Sequence, residues 1–291
     1  MKQDIYQEIT NDIIDALERV SPEEYQAPFA QLTASKAPIN PVAERPYHGI
    51  NTLALWLKQQ SREYSSNEWA TFKQWKDKGA SVKKGEKSTK VIFYRKVEKK
   101  EVADGEQDFY HVLKSYCVFN ADQVSGYEPE TGLEEGTPGV VDTVPQIERF
   151  VKRTRVKIDH EGNRAYYSTL NDTISMPDKA LFFDTEQSAT ENYYAVLLHE
   201  LTHWSGGKPR LDRIPRDIGS NERAYAYEEL IAELGSAFLC GQFSIKQQGR
   251  EDHAAYIKSW LKALRNDKKY IFKAAAQAQR AVDFLNALAG D

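Results

Sequence analysis

His199-Glu200-Leu201-Thr202-His203 is the stretch on which the reading of this chain turns. Its two imidazoles stand four residues apart, a little over one helical turn, so in a helix both rings project from one face. That spacing offers two neutral nitrogen donors to a single divalent ion, with Glu200 beside them as the base that would handle a water. The flanks support a buried helix. Tyr193, Tyr194, Val196, Leu197, Leu198 and Leu201 make the surroundings apolar. Ser188 and Glu191 have the spacing of a capping box. Gly206-Gly207 supplies a stop, since glycine accepts the left-handed backbone in which helices often end. A charged Glu200 inside such a helix is costly to bury without a partner, and a metal site provides one.

Two histidines and a water leave room for a third protein ligand. Downstream stand Asp212, Asp217, Glu222, Glu228, Glu229, Glu233 and His253. The segment Tyr227–Leu239 has helical period, with Leu230, Leu234, Ala237 and Phe238 on one side. Glu229 and Glu233, four apart, share a face. Glutamates so placed are ordinarily surface charge; the upstream histidine pair shifts the balance. Glu229 is therefore expected as the third ligand and Glu233 as the carboxylate that orients a ligand histidine. Glu228 is expected to face solvent. Two histidines and a carboxylate suit zinc first, and manganese is compatible. Tyr194, Tyr225, Tyr227 and His253 stay open as donors to a developing oxyanion.

The chain has 291 residues, 41% hydrophobic and 28% charged, the composition of a globular protein with room for two domains. No apolar run is long enough to span a bilayer, so no membrane partner is expected. Ile5, Ile9, Ile13 and Leu17 make the N-terminal stretch amphipathic and not a signal-peptide core. Cys117 and Cys240 give neither a disulfide framework nor a four-cysteine metal site, and the expected compartment is a reducing cytoplasm. The net charge of −4 hides an asymmetry: Lys58 to Lys100 holds thirteen Lys or Arg against five Asp or Glu, a net of +8, so the remainder carries −12. Such a block is either a solvated lysine face or a docking surface for an anionic partner, nucleic acid foremost.

A helix is expected over Asp4–Val20, ended by Ser21-Pro22. A second begins after Gly49 with Asn51 as its cap, and a third runs from Trp69 to Asp77. Lys84-Gly85-Glu86-Lys87 reads as a turn before a strand at Val91–Tyr94, with another strand at Tyr110–Phe119. Residues 126–146, rich in Gly, Pro and Glu, read as a linker between domains 1–125 and 147–291. The second domain opens with a helix at Pro145–Thr154. Strands follow near Val156–Ile158, Ala165–Ser168 and Thr173–Met176, the last two around a turn at Asn171-Asp172. Two C-terminal helices break near Asn266-Asp267. The fold class is α+β. Asn171–Met176 is expected at the cleft rim, holding an extended peptide by backbone pairing.

Beyond the histidine pair, several blocks carry a family likeness. They are Asn40-Pro41, Arg45-Pro46-Tyr47, Gly49-Ile50-Asn51, Trp69-Ala70-Thr71-Phe72-Lys73-Gln74, Val82-Lys83-Lys84-Gly85-Glu86-Lys87 and Val118-Phe119-Asn120. In the second half they are Leu197 to Trp204, Tyr227 to Leu234 and Ala274 to Gln279. Over nearly its full length the chain resembles the ArdC-type antirestriction proteins of conjugative plasmids. The resemblance implies an N-terminal domain that binds single-stranded DNA. It also implies a C-terminal zincin-like metallopeptidase domain with a small antiparallel sheet and the HExxH helix. The implied role is protection of incoming plasmid DNA during conjugation.

A single strand needs cations for phosphates and flat rings for bases. Lys83, Lys84 and Lys87, with Lys90, Arg95 and Lys96, supply the first, and Arg45 and Tyr47 sit in an irregular segment where a tyrosine is readily exposed. Trp56, Phe72 and Phe93 are expected in the core, with Trp69 and Trp75 open. The substrate on this reading is a protein, still unidentified, held near DNA. The competing reading is a DNA-coating protein whose metal site is structural or vestigial.

Overall fold

The computed structural model describes residues 4–19, 37–98, 109–129, 141–162, 164–182, 187–215, 221–246 and 254–290. The chain divides into two compact units: Pro38–Tyr47 with Ala54–Gly132, and Met1–Ala37 with His48–Leu53 and Leu133–Asp291. This departs from a single cut within 126–146. The first helix and a short segment after Tyr47 group with the C-terminal part. Residues 130–140 of the expected linker lie outside the described residues.

In the smaller unit, β1 (Ile39–Asn40) and β2 (Arg45–Pro46) form a short antiparallel ribbon. Then come α2 (Ile50–Ser61), whose first turn groups with the larger unit, β3 (Trp69–Thr71), α3 (Phe72–Asp77), β4 (Ser81–Val82), the long strands β5 (Thr89–Glu98) and β6 (Phe109–Asn120), and β7 (Val124–Ser125). β6 lies between β3 and β5, antiparallel to both. Alternation along these strands sends Trp69, Val91 and Val118 inward onto Tyr47 and Leu55. A second cluster forms around Trp75, whose indole N–H donates to the Phe119 carbonyl at 2.9 Å.

Four expectations are corrected in this unit. Trp69–Asp77 is a strand turning into a helix. Trp69 serves as an inward strand residue, and Thr71 and Gln74 then close a capping box that starts α3. α2 begins at Ile50, so Asn51 lies inside it. Phe72 and Phe93 are 58% and 47% exposed, outside the core. Tyr47 is buried, and its hydroxyl donates to the Trp69 carbonyl at 3.0 Å, so its ring is not free to stack on a base.

The larger unit contains α1 (Ile5–Arg19), α4 (Pro145–Thr154), β8 (Lys157–His160), β9 (Tyr166–Ser168), β10 (Thr173–Met176), α5 (Ala189–Ser205), α6 (Glu222–Phe243), α7 (Ala254–Asn266) and α8 (Tyr270–Ala289). The apolar stripe foreseen on α1 is used: Ile9, Ile13 and Leu17 are buried, Thr10 donates to the Lys268 carbonyl at 2.9 Å, and Tyr6 meets Phe272 edge-on at 4.7 Å. β10 is the middle strand, antiparallel to β9 and parallel to β8. Both its edges are paired within the sheet, so the expected pairing of Asn171–Met176 with a peptide does not hold. Among the described residues the edge strands of this sheet are β8 and β9. No described helix is long and apolar enough to cross a membrane.

Candidate metal centre

α5 starts where Ser188 and Glu191 cap it reciprocally, as their spacing suggested. Its central residues are buried all round, unlike a surface helix. α6 crosses it closely. A Cβ built on Gly235 would lie 2.5 Å from Thr202 Cγ2, so only glycine lets the backbones approach there. Next to this crossing the Ser236 hydroxyl donates to the Ala195 carbonyl at 3.1 Å. The approach brings Glu229, two turns N-terminal of the crossing, to the histidines of α5.

His199 Nε2 and His203 Nε2 are 3.1 Å apart, and each lies 3.5 Å from an oxygen of Glu229. Tetrahedral zinc with ligand bonds of about 2.0–2.2 Å places its donors about 3.3–3.5 Å from one another. The donor triangle therefore has the size and the nitrogen–nitrogen–oxygen chemistry of a three-residue catalytic site. Glu200 follows His199 and is buried.

Behind the donors stands a second layer. His199 Nδ1 is 3.2 Å from the buried Glu233, the carboxylate expected to orient a ligand histidine. Glu228 is a correction. It is buried, 3.2 Å from His203 Nδ1, and clasped by Arg213 through two hydrogen bonds of 2.8 Å. Each histidine thus has its own carboxylate behind it, which fixes the ring and turns Nε2 toward the shared centre. Arg213 also donates to the Thr202 carbonyl at 2.9 Å, tying the exit loop of α5 to the site.

The electrostatics follow. Burial works against a charge on His203, but Glu229 and Glu228 outweigh it and hold the imidazole up at about 10. Burial would raise the Glu229 carboxyl; His203 and His199 overcome this and keep it far below the usual carboxylate range. Glu228 is likewise held low, with Arg213 and His203 prevailing over burial. Four buried glutamates, 200, 228, 229 and 233, gather with Arg213 at one place, and such an excess of negative charge suits a divalent cation.

Gly206 ends α5 with φ of −81°, a right-handed conformation, so the expected left-handed stop is not what it provides. Both glycines supply room. A Cβ on Gly206 would meet Arg213 at 2.7 Å, and one on Gly207 would meet Arg210 at 2.2 Å and the Tyr167 hydroxyl at 2.4 Å. Arg210 reaches from this loop to Asp172, Tyr167 and the Trp204 carbonyl, its guanidinium 4.0 Å from the centre of the Trp204 ring. Sequence reading missed Arg210, Arg213, Tyr167 and the role of Glu228. The glycine pair was a usable signal for the two arginines. Of the open oxyanion donors, Tyr194 is committed to Glu148 at 2.6 Å and burial pushes its hydroxyl pKa up. Tyr227 packs on Tyr270, Tyr225 is partly exposed, and His253 lies outside the described residues.

In the smaller unit Lys83, Lys84 and Lys87 are exposed together on the turn between β4 and β5. Lys83 also donates to the Asp122 carbonyl at 2.8 Å. Arg45 is exposed on β2.

The family described as zincin-like metallopeptidase matches residues 145–277, and the N-terminal domain of anti-restriction factor ArdC matches residues 3–119. A crystal structure of the antirestriction protein ArdC from plasmid R388, metal-free, is 36% identical, covers 99% of this chain and 98% of that one, and superposes with a TM-score of 0.80. The chain belongs to the ArdC family of antirestriction proteins. The Mn(II)-bound structure of the same R388 protein is 37% identical, with a TM-score of 0.78 and 99% of each chain covered. This ArdC-family chain is also 37% identical to the uncharacterized protein y4eC of Sinorhizobium fredii, over 99% of its own length and 93% of the relative's. It is 32% identical to the DNA primase TraC of Escherichia coli, matching 98% of itself and 27% of TraC.

Proposed function

We propose that this protein binds single-stranded DNA through its smaller unit and carries a divalent-metal-dependent peptidase site in its larger one, protecting incoming plasmid DNA during conjugation. The observation that carries the peptidase reading is the His199–His203–Glu229 triangle, buried at His199 and Glu229 and half-buried at His203, with the buried Glu200 alongside. His199, His203 and Glu229 would hold the ion. Zinc suits these donors, and the manganese in the R388 relative makes that ion an equal candidate. When bound, a divalent ion polarises a peptide carbonyl and makes water a competent nucleophile. Glu200 accepts the proton of that water and passes it to the leaving amine. Glu228 and Glu233 keep both imidazoles in the tautomer that points Nε2 at the centre. Among the described residues β9 is an edge strand beside α5, so a peptide substrate would pair there and not on β10.

The DNA reading is supported by the ArdC N-terminal match, by the net of +8 over Lys58 to Lys100, and by the exposure of Arg45, Lys83, Lys84 and Lys87. The test is Glu200→Gln. Metal content should stay at the wild-type level while cleavage of unfolded casein, assayed with and without a single-stranded oligonucleotide, disappears. Glu229→Ala should lose the metal itself. If Glu200→Gln still protects plasmid DNA in a conjugation assay, protection comes from binding and the peptidase serves another purpose.

A further inference from the structure

We propose that Phe93 and Tyr116 form a stacking platform for the unpaired bases of a single-stranded nucleic acid, with Lys114 beside it to hold a phosphate. This rests on the reading that the smaller unit binds single strands. Val91 and Phe93 point to one face of β5. Lys114, Tyr116 and Val118 share that face of β6, where Val91 lies opposite Tyr116 and Phe93 opposite Lys114. Val91 and Val118 are sealed in the core with Tyr47, Leu55 and Trp69. Further along the same face the burial ends: Phe93 is 47% and Tyr116 44% exposed, and Lys114 is exposed too. The two rings meet diagonally across the strands, centroids 5.4 Å apart and planes at 78°.

An edge-to-face pair of this kind leaves a ring face open while the second ring fixes the orientation of the first. Every base has a flat π face, so such a platform accepts any sequence, provided the bases are not hidden in a duplex. Charge selects the partner. β5 lies within the block of net +8, and Lys114 stands directly opposite Phe93 on the face of the platform itself. A polyanion with exposed aromatic rings is complementary to this mixture of cations and open aromatics. The buried Tyr47 leaves the stacking role it was expected to play to this pair.

The experiment is binding of a labelled, mixed-sequence single-stranded oligonucleotide to the full chain across a series of salt concentrations, beside thermal melts of the same samples. Phe93→Ala and Tyr116→Ala should each weaken binding about five- to hundred-fold. Their dependence on salt should be unchanged, because no phosphate contact is lost. Phe93→Trp and Tyr116→Phe should bind as wild type. Lys114→Ala should lower the salt slope by roughly one phosphate contact. A pair that only braces the β5–β6 ribbon would lower the melting temperature and leave affinity intact, and that result overturns the site. An equal loss on a blunt duplex also overturns it. In wild-type protein, photocrosslinking to an iodouracil-containing strand should label Phe93 or Tyr116, and labelling only elsewhere counts against the proposal. Wild type that binds no single strand would overturn the underlying reading together with the site; wild-type binding that ignores both alanine changes would overturn the site alone.

Discussion

At the level of single residues the candidate metal centre is a set of charges that need one another. Glu228 is buried with Arg213 on one side and His203 on the other. Arg213→Met leaves that carboxylate buried with half its support, a change that typically costs about 3–5 kcal/mol. Metal affinity, measured by competition with a chelator, should fall about 10–100-fold in Arg213→Met and in Glu228→Gln, as it does when outer partners of metal ligands are removed. Unchanged affinity in both would show that the histidines are aligned without them. Asp172 makes a different prediction. The hydrogen bond from Arg210 holds its carboxyl below the usual range, against the smaller effect of burial. A lowered native value means that the group stabilises the fold above its unfolded pKa of about 3.9, and that this help is lost as pH falls through the native value. Asp172→Asn should therefore melt lower than wild type at pH 7, and the two curves should converge on acidification below about pH 4.

The residues that sequence made legible are those tied by helical spacing. His199 and His203, then Glu229 and Glu233, are four apart, and period alone puts each pair on one face. Glu228 was misread because its partner, Arg213, comes from a loop fifteen residues away in sequence. Nothing in the local pattern around Glu228 announces that pairing. Tyr47 and Phe93 were exchanged for a related reason. Whether an aromatic is covered depends on Trp69, Val91 and Val118 arriving from other strands.

At the level of elements, α5 and α6 are held at a separation set by Gly235 and Thr202. Glycine inside a helix costs about 1 kcal/mol relative to alanine, so its presence in α6 needs a reason, and the close crossing is that reason. Gly235→Ala should force the helices apart, with a loss of about 1–3 kcal/mol in stability. Because Glu229 rides on α6, metal affinity should drop as well. Calorimetry with and without zinc checks both. Elements with a strong period were legible throughout: α4 and β10 have the bounds their patterns suggested. The exception at Trp69–Asp77 shows how apolar residues suit either period until the hydrogen bonds of Trp69–Thr71 to β6 decide.

At the level of the whole molecule, composition and the Gly/Pro-rich stretch revealed two units but not how the chain is shared between them. The cation should act on one of them. Saturating zinc should raise the melting transition of the larger unit, by an amount that grows with the logarithm of free metal, and leave that of the smaller unit in place. A single transition that moves as a whole would mean that the units unfold together.

The placement of α1 has a consequence for how the protein responds to a protease. This helix belongs to the larger unit, with Ile9, Ile13 and Leu17 buried and Thr10 bonded to Lys268. A cut anywhere in 126–146 would sever the backbone yet leave the amino-terminal fragment anchored by its own first helix. The two fragments should elute together in gel filtration under native conditions and part only in denaturant. Cleavage that also removed residues 1–37 would leave only the short segment His48–Leu53 tied to the larger unit, and release should be easier.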